Sequence, residues 1–567
     1  MNPHAGRIRI ISIGVIFFAL LLGVKLYYVQ IVSGDAFNDR ADRQYIRPVG
    51  GMYDRGTVFF EAKDGTLMAA ASLKTGFTLA INPKLLKNPQ SIYDRLSKIL
   101  DIDKQSFLEK ALKTNDPYEE IAKRIDPEVA KKIDDLDIPG VNVYKEKWRY
   151  YPGETLASQV LGFVGFRGDD YSGRYGLENY YDNVLKRGSQ NVYVNVFAEI
   201  FSDVHKVFTD TGTIEGDIVS TIEPNVQTFV ESELKKVTDK YQSKLTGAIV
   251  IDPKTGEIYA MGATPSYNPN SYQNVKDLRV LSNPLVQNVY EMGSIIKALT
   301  MAAGLDAGVV TASSTYYDSG QITLNNRTIY NYDKRARGTA SMQEVLNQSL
   351  NTGVAHVVQK LGNKRFSDYM YKFGFGSLTG IDLPSEVRGL TDNLKSSRDI
   401  EHVTAAFGQG IALSPIETTR ALAAMANGGT LVTPHVAKRI DYKVGFSKTL
   451  TYPEGERVIK SETSREISRM LTTVVDKALL EGSVKMDNYS VAAKTGTAQI
   501  VKPGGGYYDD RYLHSFFGYF PSYNPRFLIF LYTVEPQGVS YASHTLTEPF
   551  ISIAKYLINY YELPPDR

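Results

Sequence analysis

A serine three residues before a lysine on one helix can perform acyl transfer, because positions i and i+3 share a helical face. The 567-residue chain has this spacing at Ser294/Lys297, Ser232/Lys235 and Ser552/Lys555, and Lys-Thr-Gly at Lys74, Lys254 and Lys494. Context separates them. Ser294 follows Gly293, which has no side chain to block a substrate, and opens the apolar run IIKALTMAAGL. A serine hydroxyl is a poor nucleophile at neutral pH and needs a base within hydrogen-bond reach. Lys297 qualifies if burial or a nearby cation lowers its pKa; the apolar run supplies burial and Lys494 the cation. Backbone N–H groups at the helix start favour the oxyanion of acyl transfer. Ser232 lies in the polar stretch ESELKK, a solvated face, and Ser552 in a C-terminal helix, a packing position.

Ser349-Leu350-Asn351 lies between two helical runs, in NQSLNTG. Its hydroxyl and amide can relay a proton and hold a substrate amide; alone, the tripeptide reads first as a helix cap or turn. Lys494-Thr495-Gly496-Thr497 sits in the apolar strand YSVAAKTGTAQIV. Glycine inside a strand weakens it unless something approaches the backbone there, and a substrate added as a further strand fits that edge. Lys494 can bind a carboxylate, oriented by the Thr495 and Thr497 hydroxyls. Lys254-Thr-Gly reads as a hairpin turn, and Lys74-Thr-Gly leads into a strand without a second threonine. The ordered set Ser294–Lys297, Ser349–Asn351, Lys494–Thr497 carries the chemistry.

These residues need a scaffold. The segment 247–263, GAIVIDPKTGEIYAMGA, predicts two strands around the turn at Asp252–Gly256. Asn225–Thr238 predicts an amphipathic helix. Helical runs at 294–304, 340–361, 415–427 and 462–480 precede strands at 489–501, 513–520 and 526–535, and a helix at 547–561. Strands at both ends with helices between predict one large α/β (α+β) domain over 221–567, with a central sheet flanked by helices. Residues 35–220 predict a mixed, β-rich second domain with strands at 76–83, 141–151 and 190–197, and a charged helical stretch at 89–137. GGG at 504–506 predicts a loop tip.

Residues 10–32 carry no charge apart from Lys25 and are mostly apolar, about 23 residues, enough to cross a roughly 30 Å hydrocarbon core. Arg7 and Arg9 put residues 1–9 in the cytoplasm and the remainder outside, by the positive-inside bias. The competing readings are a cleaved signal peptide, which needs a shorter core and a small-residue cleavage site, and a buried core helix. The expectation is a single transmembrane helix with a large extracytoplasmic part. Lys+Arg 64 against Asp+Glu 62 is too balanced for nucleic-acid binding, and hydrophobic residues at 43% exclude a disordered chain. Cys 0 removes disulfides, thiolate nucleophiles and cysteine metal sites. The seven histidines are scattered, without HExxH spacing, so no metal or other cofactor is expected.

The three motifs in this order resemble those of penicillin-binding proteins and class A β-lactamases. Across nearly the whole chain the sequence is similar to class B penicillin-binding proteins: one anchor, a non-catalytic pedestal of the dimerisation type, and a peptidoglycan D,D-transpeptidase domain. RYYPGETLASQVLGFVG (149–165), YGLENYYDNVLKRG (175–188), AAFGQGIALSPIETTRALAAMANGG and VAAKTGTAQ carry the likeness. YEMGSIIK, VAAKTGTAQ and the ending LPPD resemble the cell-division type more than the elongation type. The resemblance implies Ser294 as acylated nucleophile, Lys297 as its base, and Ser349 and Asn351 lining the site. It implies Lys494, Thr495 and Thr497, around Gly496, as the carboxylate site, and the N–H groups of Ser294 and Thr497 as oxyanion hole. It also implies β-lactam inhibition and a SEDS-type glycosyltransferase partner among the division proteins, since 35–220 contains no glycosyltransferase motifs. Met292, Ile295 and Ala493 stand where the family usually has Pro, Thr and Gly, and the pedestal signature is only partly matched at Tyr53–Gly56. The competing functions are an elongation-type transpeptidase, a D,D-carboxypeptidase and a β-lactam-binding division scaffold.

Overall fold

The structure is a computed structural model that describes Phe18, Leu22 and residues 54–167, 170–187, 215–453 and 455–567. Of the expected membrane span 10–32, only Phe18 and Leu22 are among them, both helical and exposed. The rest of that span, the 1–9 tail and the expected strand at 190–197 lie outside the described residues.

The described chain forms two compact units. The first contains Leu73–Trp148. Helices Pro89–Leu96, Lys104–Ala111 and Pro127–Asp134 bury Ile92, Leu96, Phe107, Ala130 and Ile133 with Leu79 and Ile81. The Asn88 and Asp103 side chains cap the first two helices by accepting the N–H groups of Ser91 and Ser106. The charged stretch 89–137 is not helical throughout. Glu119–Ile125 is a strand, with Phe77 opposite Ile125 and Ile81 opposite Glu119. Pairing with a strand distant in sequence overrides the helical preference of Glu, Ala, Lys and Arg here.

The second unit contains Arg55–Ser72, Arg149–Arg187 and 215–567. It is built on a five-stranded antiparallel sheet of β1 (Leu245–Ile251), β2 (Ile258–Thr264), β3 (Ala492–Val501), β4 (Tyr507–Phe520) and β5 (Phe527–Val534). The spatial order is β3-β4-β5-β1-β2, so β3 is an edge strand. The expected β1–β2 turn is present, with the Asp252 carboxylate accepting the Lys254 N–H. The expected glycine tip lies between β3 and β4. Two helices, α1 (Pro224–Tyr241) and α4 (Thr547–Tyr560), share one core with Phe516, Phe550 and Leu557. A second core gathers α2 (Ile296–Asp306), α3 (Asn351–Leu361) and the helices Pro415–Ala426 and Ser461–Thr473. Every residue of α2 from Ile296 to Gly304 is buried, Lys297 and Thr300 among them, as a helix apolar on nearly every face requires. The expected central sheet flanked by helices is therefore present. This unit also takes in 55–72 and 149–187, stretches whose composition groups them with the pedestal.

Candidate active site

The nucleophile turn, Gly293–Ile295, is one turn of 3₁₀ helix that runs into α2. Gly293 has φ +64, and a Cβ there would meet the Thr497 carbonyl oxygen at 2.6 Å and the Ala498 nitrogen at 3.0 Å. The glycine is thus required for close packing on β3, beyond clearing a path for substrate. Gly496 answers from the strand side. A Cβ there would collide with Ser515 Oγ and meet the Met292 oxygen at 2.7 Å and the Ile295 nitrogen at 2.9 Å. The close approach expected at Gly496 is that of the nucleophile turn itself. Two further bonds fasten the turn: Ser515 Oγ donates to the Met292 carbonyl at 2.6 Å, and Gly293 N–H donates to the Gly408 carbonyl at 3.0 Å. The backbones of Ser294 and Thr497, the expected oxyanion donors, are thereby adjacent.

Ser294 is half-buried, and among the described residues its hydroxyl has no hydrogen-bond partner. The Lys297 amine, 1% exposed, donates instead to Ser349, to the carbonyl at 2.6 Å and to Oγ at 3.2 Å. Lys494, 3% exposed, donates to the same Ser349 Oγ at 3.1 Å and to the Thr495 carbonyl at 3.1 Å. One hydroxyl therefore accepts from both lysines. Burial, and then the charge of Lys494, push the Lys297 pKa well below its usual value, and burial brings Lys494 down to about 8. Ser349 adopts φ +54, a left-handed conformation that costs a non-glycine residue about 1–3 kcal/mol and clusters at functional sites. It breaks the expected 340–361 helical run into Met342–Asn347 and α3.

Asn351 starts α3 and donates through Nδ2 to the Tyr330 carbonyl at 2.8 Å. Thr352 beside it donates its hydroxyl to Asp318 at 2.8 Å and its N–H to Asn331 Oδ1 at 3.3 Å, while Asn331 Nδ2 reaches both Asp318 oxygens. Thr495 and Thr497 are half-buried on β3, and Thr497 Oγ1 accepts the Ala542 N–H at 3.2 Å. The seven expected residues and Gly496 thus lie on three elements that meet: the nucleophile turn with α2, the Ser349 turn with the start of α3, and the edge strand β3. The competing motifs do not join them. Lys235 is exposed and paired with Asp239, and Lys254 lies in the β1–β2 turn.

A model of the penicillin-binding protein transpeptidase domain matches residues 246–557, and one of the penicillin-binding protein dimerisation domain matches residues 53–217. The chain belongs to the penicillin-binding protein family. The two domains together make it a class B penicillin-binding protein. It is 31% identical to stage V sporulation protein D of Bacillus subtilis over 551 residues, covering 96% of this chain and 83% of that protein. It is 26% identical over 552 residues to a probable peptidoglycan D,D-transpeptidase, PenA, of Neisseria meningitidis, covering 96% and 90%. The crystal structure of penicillin-binding protein 3 of Mycobacterium tuberculosis with aztreonam matches with TM-score 0.68 and 22% identity, over 91% of this chain and 98% of that one. At that identity the likeness is one of fold.

Sequence reasoning misses several residues that hold this penicillin-binding protein's site together. Ser515, Gly408, Asp318 and Asn331 have no local signature, although Gly408 lies in the family-like segment AAFGQG. Glu291, next to the nucleophile turn, is also missed. Its Oε1 accepts from the Gly410 N–H at 2.9 Å and the Tyr507 hydroxyl at 3.1 Å, and burial raises its pKa to about 7.

Proposed function

We propose that the protein is a peptidoglycan D,D-transpeptidase acting through a serine acyl-enzyme. The observation that carries this is the convergence of Lys297 and Lys494 on Ser349 Oγ beside the Ser294 turn, at the open edge of the sheet. A stem peptide ending in D-Ala-D-Ala adds to β3 as a further strand. Its terminal carboxylate meets the Lys494 ammonium and the hydroxyls of Thr495 and Thr497. Asn351 holds a peptide amide. Ser294 Oγ attacks the penultimate carbonyl and its proton passes to neutral Lys297. The N–H groups of Ser294 and Thr497 stabilise the oxyanion. As the C–N bond breaks, the proton reaches the departing D-Ala amine through Ser349, leaving an ester on Ser294. An amine from a second stem peptide attacks that ester and restores the serine. A β-lactam enters the same first step and stays attached.

The test is to incubate the protein with a fluorescent penicillin, digest it and locate the adduct by mass spectrometry. The expected adduct is on Ser294; labelling elsewhere, or none, contradicts the reading. Ser294→Ala separates catalysis from a scaffold role, because crosslinking is lost while scaffolding survives.

The same proposal extends to cell-membrane location, with 10–32 as a single-pass anchor and the catalytic part outside, and to septal wall synthesis. The apolar run and the flanking Arg7 and Arg9 support the first; YEMGSIIK and VAAKTGTAQ support the second. A transpeptidase without its own polymerase must meet glycan strands made elsewhere, so a SEDS-type glycosyltransferase is the proposed partner. Small residues Ser12, Gly14, Ala19 and Gly23 suit close helix packing in a bilayer. Replacing 10–32 by an unrelated membrane helix is expected to preserve penicillin labelling and reduce co-purification with the polymerase.

A further inference from the structure

Two neighbours on β4 act on opposite faces of β3, because successive side chains of a strand alternate. Ser515 lies opposite Gly496 and holds the nucleophile turn through the Met292 carbonyl. His514 lies opposite Thr497 and has no part in the chemistry above. It is fully buried, and one ring nitrogen is idle. Nδ1 lies 3.0 Å from Thr545 Oγ1, while the buried Nε2 has no hydrogen-bond partner among the described residues. A polar ring left half satisfied in a core is costly, so the single bond it makes requires a reason.

That bond leads back to the site. Thr545, 1% exposed, ends the short helix Ala542–Thr545 and donates its hydroxyl proton to the Ala542 carbonyl at 3.2 Å. A hydroxyl has one proton and two lone pairs, so Thr545 Oγ1 accepts from a neutral ring protonated at Nδ1. Burial favours that neutral ring and pushes its pKa down to about 4. Ala542, held at its carbonyl, donates its N–H to Thr497 Oγ1 at 3.2 Å. With one lone pair engaged, the Thr497 hydroxyl keeps its own proton for a further acceptor, and among the described residues it donates to none.

We propose that His514 is a positioning residue for the carboxylate subsite: through Thr545 and Ala542 it fixes the Thr497 hydroxyl as a donor to the terminal carboxylate of the substrate. This rests on the transpeptidase reading. His514 touches no reacting atom; it controls orientation. Without the ring, Thr545 loses a partner, Ala542 is held less firmly, and the Thr497 hydroxyl is no longer confined to one staggered position. A ligand without a carboxylate gains nothing from that donor and is indifferent to His514.

The test uses the full chain and two probes, a fluorescent penicillin and the same penicillin with its carboxylate methylated. The second-order rate of Ser294 labelling is read for each. His514→Leu keeps much of the bulk of the ring and removes the bond, Thr545→Val removes its acceptor, and His514→Asn restores an N–H near the place of Nδ1. The Leu and Val variants are each expected to slow labelling by the acid about 10-fold, the low end of what a hydrogen bond to a charged group contributes. Labelling by the ester changes less than about threefold. The double variant loses no more than either single, because both break one chain of contacts. His514→Asn returns the acid rate to within about threefold of wild type. An unfolded fraction lowers both rates equally, so the ratio of acid to ester reports the subsite alone. An unchanged acid rate in His514→Leu overturns the proposal, as does an equal loss with both probes, which marks a merely structural role. Wild type that the acid does not label on Ser294 overturns the transpeptidase reading. Wild type that acid and ester label equally fast keeps the serine chemistry and removes the carboxylate subsite, and the role of His514 with it.

Discussion

Two buried lysines with opposite tasks set the pH dependence of this site. Lys297 must be neutral to accept the Ser294 proton, and burial beside Lys494 favours that form well below the usual lysine range. Lys494 must remain charged to bind a carboxylate, and burial brings its pKa to about 8. Raising the pH therefore first increases the acylation rate as Lys297 loses its proton, then decreases it through about 8 as Lys494 does. Second-order labelling by penicillin across pH 5 to about 10 is expected to be bell-shaped; a profile still rising above 9 excludes this assignment. Lys297→Ala is expected to slow acylation about 10²–10⁴-fold with the fold intact, the usual contribution of a general base. A variant within a factor of about two of wild type moves the base role elsewhere, with Ser349 first in line.

The decisive contact between elements is the one between the nucleophile turn and β3. Gly496 and Gly293 let two backbones approach where any side chain intrudes, and Ser515 ties the turn to β4. Gly496→Ala must displace the Met292 carbonyl and the Ile295 nitrogen, neither of which belongs to a flexible side chain. A shift of about 1 Å at the nucleophile is enough for a 10²-fold loss. The variant is expected to keep its secondary structure by circular dichroism while penicillin labelling falls by roughly that factor. Labelling at the wild-type rate means that the turn can retreat without moving Ser294, and the argument for the paired glycines then fails.

For the molecule as a whole, a buried charge cluster apart from the Ser294 site joins family-like segments that lie far apart in the chain. Glu178, fully buried, accepts from Arg55 at 2.6 Å and from Arg149, and Arg149 also donates to the Gly56 carbonyl at 2.7 Å. Burial pushes the Glu178 pKa up, but the guanidiniums of Arg149 and Arg55 outweigh it and hold the carboxyl below its usual range. Glu178→Ala leaves the buried Arg149 without its carboxylate partner, while Arg55 keeps Asp182 at 2.7 Å, a loss of about 3–5 kcal/mol from the uncompensated charge. The denaturation midpoint of the variant is expected to fall accordingly. Because the folded-state pKa is depressed, the Glu178 contribution is complete above the ordinary carboxylate range and is lost as pH falls through the folded value. Glu178→Gln therefore differs from wild type most at neutral pH and converges with it in acid. A midpoint that Glu178→Ala leaves unchanged assigns the cluster no structural role.

Local signals are legible in the amino-acid sequence itself. The β1–β2 turn, the largely apolar α2, the glycine tip at 504–506 and the choice of Ser294 and Lys494 over their rival motifs each depend on a dozen or so neighbouring residues, whose periodicity and turn chemistry are local properties. The tertiary structure decided what those residues touch. Lys297 bonds to Ser349, 52 positions away, and not to Ser294 one turn before it. Ser515 holds Met292 across 223 positions, and Arg55 meets Glu178 across 123. Glu119–Ile125 became a strand through a partner some forty residues earlier. Such contacts depend on sheet register and on which core a helix enters. Those follow from the packing of the folded chain, where side-chain volumes and backbone hydrogen bonds from distant segments must be satisfied together.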